Sequence, residues 1–312
     1  MPVTMLLILS LSKDARRSCR QGFPYRPLGR CFPIGSGRTS WLAGPIAWAV
    51  LAYMLACGTA SAFDPSELYR ARVRVTGQRV ETRVPALEHG LRDVLVKVSG
   101  DLEIAGDPAV AQRASQAEGY VGSFRYRDLL EGIPVHDEQG TRDRPHELTI
   151  DFDPAKIDGL VRSLGREPWT GPRPRVVVFL AVDFDEVDYL LAADGRLGRT
   201  QRESLLAAAW QYGMPMALPA ERSLAASGVT LENLPSTDPD GLETAAKSAG
   251  GDIGLIGNLT WSPEALGWTA DWRLAWKGEL NRWQSRGVNF DEAFRNAMSG
   301  ALQVLSGHGA PP

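Results

Sequence analysis

The sequence predicts an α+β fold: two small α/β-type domains, each a mainly antiparallel sheet with helices packed on it, behind an N-terminal signal peptide. Three observations predict it. From Trp268 to Lys277 the even positions read Trp268, Ala270, Trp272, Leu274 and Trp276, and the odd positions Thr269, Asp271, Arg273, Ala275 and Lys277. Strict alternation of this kind is a strand with one apolar face. Amphipathic segments with apolar residues three and four apart recur beside such strands, which is the spacing of a helix that lies on a sheet. Finally, Trp41 to Ala62 carries no charge, follows Arg38 and closes on Ala60-Ser61-Ala62; a basic flank, an apolar core and a small-x-small end make a secretory leader.

The leader sets the expected location. Cleavage after Ala62 leaves Phe63 as the first residue of a periplasmic or secreted protein. The alternatives are a retained anchor through residues 41–62, or acylation of Cys57, and these are the expected routes to a membrane. Residues 1–37 are rich in Arg, Pro and Gly and lack periodicity, so translation is expected to start downstream of them. All three cysteines, Cys19, Cys31 and Cys57, precede Ala62. The body therefore has no disulfide framework, thiolate metal site or cysteine nucleophile. Seven of the 34 Lys/Arg and one of the 37 Asp/Glu lie in residues 1–62, so the body has net charge −9. An acidic body without a basic run speaks against nucleic acid and against anionic lipid.

The first domain is expected over residues 63–168. Tyr69 to Thr76 alternates, with Arg70, Arg72 and Arg74 on the wet face; these could bind an anion, but a charged sheet edge is the simpler reading. Val84, Leu87, Leu91, Val94, Leu95 and Val98 form a helical stripe within Val80–Val98, ended by Gly100. Pro85 suggests that this helix starts at Thr82 or Arg83. Asp107-Pro108 and Asp153-Pro154 each pair a capping residue with proline at the first helical position. Strands are expected at Tyr120–Leu130 and Glu147–Phe152, with an exposed loop between them. His136 and His146, with Asp137 and Asp143, have no recognised metal-ligand spacing.

The second domain is expected over residues 169–308, after a Pro/Gly linker from Trp169 to Pro174. Val176 to Val182 is continuously apolar, which marks a strand buried on both faces. A helix follows at Thr200–Gln211, with Leu205, Leu206, Ala209 and Trp210 expected inside. A short edge strand lies near Met216, a loop spans Gly228–Asp238, and a helix opens at Pro239. The Trp-rich hairpin then precedes a third strand around Asn281–Ser285 and a C-terminal helix from Asn289. That helix is the expected lid on the tryptophans.

The sharpest chemical feature is Asp183, Asp185 and Asp188, with Glu186, at the end of the buried strand. Carboxylates there are where α/β enzymes hold Mg²⁺. The run Asp183-x-Asp185-x-Val187 resembles the first motif of haloacid-dehalogenase-type phosphotransferases. That resemblance implies a nucleophilic Asp183 and an acid/base Asp185. The family's further Ser/Thr, Lys and late acidic pair have no clear counterpart beyond Asp252, so a solvated loop is favoured over a metal site. The tryptophan row has a functional alternative as a glycan platform, against a core role. No cofactor is expected, and no nucleophile-elbow, zinc-protease or phosphate-loop motif occurs.

Val94-Leu95-Val96-Lys97-Val98-Ser99-Gly100-Asp101 resembles the hallmark of a bacterial family called domain of unknown function 2066. Tyr120-Val121 with Phe124-Arg125-Tyr126, Phe152-Asp153, Trp169, Arg173-Pro174, Tyr212-Gly213-Met214-Pro215, Leu218-Pro219, Trp272 and Trp276 extend the resemblance over residues 67–305. It implies an exported protein of Gram-negative bacteria with no assigned activity; Ala220 stands where that family carries an acid. The second domain's order of elements also looks like small α/β domains of envelope assembly proteins, such as the N-terminal domain of the Tol-Pal propeller protein and the curli secretion lipoprotein. The expected function is non-enzymatic binding of another envelope protein. The alternatives are a Mg²⁺-dependent phosphohydrolase using Asp183 and Asp185, and a glycan-binding module using the tryptophan face.

Overall fold

The computed structural model describes residues 63–133 and 143–311. The expectations for the leader and for His136 and Asp137 lie outside the described residues. The architecture is α+β, and the described residues fall in one compact unit.

Strands β1 (Arg70–Thr76), β2 (Val121–Asp128) and β3 (Pro145–Phe152) form an antiparallel sheet in the order β1-β3-β2. Val73 and Tyr126 both lie opposite Leu148, so the sheet turns its alternating apolar residues to one side. Helix α1 (Val80–Ser99) buries Leu87, Leu91, Val94, Leu95 and Val98. Gly100 ends it in the left-handed region at φ 73°, where glycine carries no side-chain penalty. Helix α1 starts two residues ahead of the expected start at Thr82. Pro85 sits inside it and is exposed, and removes only the bond to the exposed Glu81 carbonyl, which water can take. Helices α2 (Pro108–Ala114) and α3 (Pro154–Ser163) begin as read, with Asp107 and Asp153 accepting from the first-turn amides.

The second sheet runs β5-β4-β7-β8-β9, with β6 beside β4. Its strands are β4 (Val176–Phe184), β5 (Val187–Leu190), β6 (Met216–Ala217), β7 (Ile253–Ser262), β8 (Gly267–Trp276) and β9 (Glu279–Val288). Three of the strand pairings in this sheet are antiparallel, as expected, but the sheet is mixed: β4 is parallel to both β6 and β7. Parallel neighbours need a long crossover. It is supplied by α4 (Arg199–Gln211), α5 (Glu221–Ser227) and α6 (Pro239–Ser248). Helix α5 had no sequence signal, because Ala220 offers no capping side chain and only Leu224 is buried. In α4, Leu206 is exposed rather than buried, and Trp210 is half-buried.

Strand β4 is covered on both sides. Val176, Val178, Leu180 and Val182 enter the main core, and Val177 and Phe179 enter a smaller core with Leu224, Leu242 and Ala246. The last helix, α7 (Phe290–Ser306), lies on the tryptophan face. Trp272 is fully buried against Phe294, with ring centroids 6.4 Å apart. The Trp283 indole N–H donates to the Asn296 carbonyl at 3.0 Å. Two glycines make room for these rings: a Cβ on Gly257 would lie 2.1 Å from Trp272, and one on Gly300 would lie 2.5 Å from Trp283. Each buried indole contributes on the order of 4 kcal/mol as an upper bound.

The stretch read as a linker is pinned. Trp169 N–H donates to the Val98 carbonyl, and Ser306 Oγ donates to the Gly100 carbonyl at 2.8 Å. Arg173 is buried, stacks on Trp169 at 4.2 Å, and donates to the carbonyls of Lys97, Trp169 and Gly213. Burial lowers its guanidinium to about 10.

Candidate functional site

Strand β4 ends in a two-residue turn to β5. Asp185 and Glu186 have φ of 50° and 67°, the left-handed pair that suits a tight hairpin. The register sets Asp183 directly opposite Asp188 and leaves Asp185 at the tip. The Asp183 carboxyl is raised above its ordinary range, first by loss of water and then by the charge and hydrogen bond of Asp188. The pair borders a cavity of about 430 Å³ with Asn258, Asp271 and Arg273, rimmed by Leu231 and Leu234. Arg273 donates to the Leu234 carbonyl at 2.9 Å, and burial with Arg282 nearby lowers its affinity for protons. Two facing carboxylates can share a proton or face a cation. Among the described residues no group of three or more His, Cys, Asp or Glu could hold a metal ion.

Period-two geometry sends Phe184 to the opposite face from Asp183. There it meets Trp261, Trp268 and Phe290 around an open cleft of about 740 Å³, which Asp185, Gln201 and Pro263 also line. Trp261 and Trp268 are cross-strand partners with centroids 5.6 Å apart. Phe184 stacks on Trp268 at 5.3 Å. Trp268 is 7% exposed, but Trp261 is 40% and Phe184 47% exposed. Leu266, on the turn before β8, and Val187, the first residue of β5, are exposed too. Helix α7 begins only at Phe290, so it covers Trp272 and Trp283 and stops short of this end of the row.

A third cluster joins Arg72, marked in the sequence only as one of three possible anion ligands on β1, to Lys97, which the sequence did not single out. The Lys97 side chain is 1% exposed. Nζ lies 3.6 Å from the Trp210 ring and donates to the Arg70 carbonyl at 2.8 Å. Burial pushes the ammonium down to about 7, against the pull of Asp93 and Glu67. Arg72 sits over the same indole at 4.1 Å, and Trp210 Nε1 donates to Glu67 at 2.9 Å. Burial raises the Asp93 carboxyl even though His89 is 3.6 Å away. In the first sheet, His146 is occupied by Gln78 and the Arg144 carbonyl.

Residues 62–170 match a family described as a domain of unknown function, DUF8605. No curated protein matches the chain. The family match corrects the resemblance to domain of unknown function 2066. The residues that suggested it are ones packing demands: Val94, Leu95 and Val98 are core, Gly100 is the left-handed helix end, and Asp101 holds Arg166 at 2.6 Å. Such residues recur wherever a helix end is buried in this way, and so do not separate one family from another.

Proposed function

We propose that this is an exported, non-enzymatic module that holds another envelope protein in the aromatic cleft of Phe184, Trp261, Trp268 and Phe290. The single observation that carries the reading is exposure: Trp261 and Phe184 remain 40% and 47% accessible at the end of a row that is otherwise under α7. A contiguous apolar patch beside exposed turn residues is a recurrent mark of a protein-binding surface. The uncharged run that ends at Ala62 supports export. The test is a photo-crosslinking residue placed at Leu266 in intact cells, with Val80 as the control site. A discrete adduct from position 266 alone, lost in Trp261→Ala, is expected. Equal labelling from both sites, or none from position 266, overturns the reading.

The cavity beside Asp183 and Asp188 favours a second reading, a Mg²⁺-dependent phosphohydrolase. Against it stand Arg273 in the cavity wall and the tip position of Asp185. Calorimetric titration with Mg²⁺ decides it: saturable heat abolished by Asp183→Asn supports an enzyme, and no heat at millimolar metal removes it. A glycan platform is disfavoured, because Trp268, Trp272 and Trp283 are buried.

A further inference from the structure

We propose that the cleft between β1, α1 and α4 is a binding site for a small phosphate-bearing anion, held by Arg72, Arg74 and Lys97. The cleft has a volume of about 490 Å³, and its lining includes these three cations with His89, Asp93 and Glu147. Charge pairing within it is lopsided. Asp93 has His89 at 3.6 Å, an ion pair only when the imidazole is protonated, and Glu147, opposite Arg74 in the register, reaches Arg127 at 3.2 Å. Arg70, at the start of the same strand, is taken by Glu67 and Asp151. Among the described residues Arg72, Arg74 and Lys97 have no carboxylate within salt-bridge distance. Arg72 rests on the Trp210 ring, and Arg74 is exposed two residues further along the same strand face.

Lys97 makes the cleft more than a charged rim. A cation that is 1% exposed and bonded only to a carbonyl and an indole face has lost most of its hydration, and since Asp93 and Glu67 pull on it only from beyond ion-pair distance, no opposing charge touches it. An anion in the cleft supplies that charge. Two guanidinium groups spaced along one strand face present forked donors, and the ammonium is a point charge between strand and helix. That combination suits the several oxygens and double charge of a phosphate better than a single carboxylate. The open side of the cleft leaves room for the organic part of a phosphate ester.

The test is calorimetry of the full chain in chloride buffer, with inorganic phosphate and glycerol phosphate as separate probes and succinate as the non-phosphate control. Saturable one-to-one binding of at least one phosphate probe is expected. Arg74→Ala and Lys97→Met should each weaken it about tenfold or more, the loss of one charge-assisted bond, and Arg196→Ala should leave it unchanged. Stronger binding of glycerol phosphate than of inorganic phosphate points to an ester as the physiological ligand, and the reverse order to free phosphate. Arg74 is exposed and, among the described residues, free of ion pairs, so its variant keeps the fold even if Lys97→Met does not. Absence of saturable heat at millimolar phosphate, equal binding by the Arg74 variant, or succinate bound as tightly as phosphate overturns the proposal.

Discussion

Trp272 and Trp261 lie on the same face of the same hairpin, yet one is fully buried and the other is 40% exposed. Trp272 has Gly257 beneath it and Phe294 above it. Trp261 has Phe184 and Trp268 at its edges, and among the described residues α7 reaches its cleft only with its first residue, Phe290. Alternation decides which face of a strand is apolar. Where the covering helix begins decides how much of that face becomes core, and that is a property of the connection rather than of the strand.

The largest expected effect breaks the buried side of this comparison. Trp272→Ala should lower stability by about 3–5 kcal/mol in urea denaturation, through lost burial and an unfilled cavity. Lys97 extends the comparison to a buried charge. Its amine is held at about 7, below the ordinary 10.5, so the unfolded chain binds the extra proton between those values. Stability should therefore rise with pH from about 7 to 10, by on the order of 4 kcal/mol, and be flat in this respect below 7. Tyr69, whose hydroxyl is pushed up to about 12 by burial and Asp158, works in the opposite direction above pH 10. Lys97→Met should flatten the slope between pH 7 and 10 in denaturation series.

Gly257→Ala tests the close approach that lets Trp272 lie flat. The added methyl should destabilise by about 1–3 kcal/mol, read as a lower urea midpoint at unchanged slope. Trp261→Ala sharpens the exposed side: less than about 1 kcal/mol in stability, with loss of the adduct from position 266. Asp183→Asn should have the smallest effect. The Asp183 carboxyl is raised, so folding favours its neutral form, and stability falls as pH rises through the carboxylate range. The amide removes that dependence and should raise the urea midpoint slightly at neutral pH.

What was legible in the sequence was local. Asp107, Asp153, Asp238 and Asn289 each accept from an amide two or three residues on, so their helix starts could be read from a few letters. The both-face burial of β4 was legible from its unbroken apolar run. The partnership of β4 with β7 was not, since it joins Val176 to Ile253 across three helices. Arg72 and Arg74 were visible on β1 as possible anion ligands, but the rest of the cation cleft was not. Arg72, Lys97 and Trp210 come from three distant elements, and only the fold places two positive groups on one indole. The Asp183 cluster was visible, but its geometry was not: the left-handed turn at Asp185 and Glu186 brought Asp188 opposite Asp183 and turned Asp185 away.

Arg173 lies where two helices finish. Helix α1 ends at Ser99 and α4 at Gln211, and the guanidinium takes the Lys97 carbonyl from the last turn of α1 and the carbonyls of Tyr212 and Gly213 just past the end of α4. Each helix carries roughly half a negative charge at that end from its aligned peptide dipoles. Two such ends meet one positive charge, so the three nearly neutralise one another. Even with its affinity for protons lowered by burial, the guanidinium stays charged at every pH near neutrality. The meeting point of the two helices is thus an electrostatic clasp without a pH setting, a few residues from a lysine whose charge does change there.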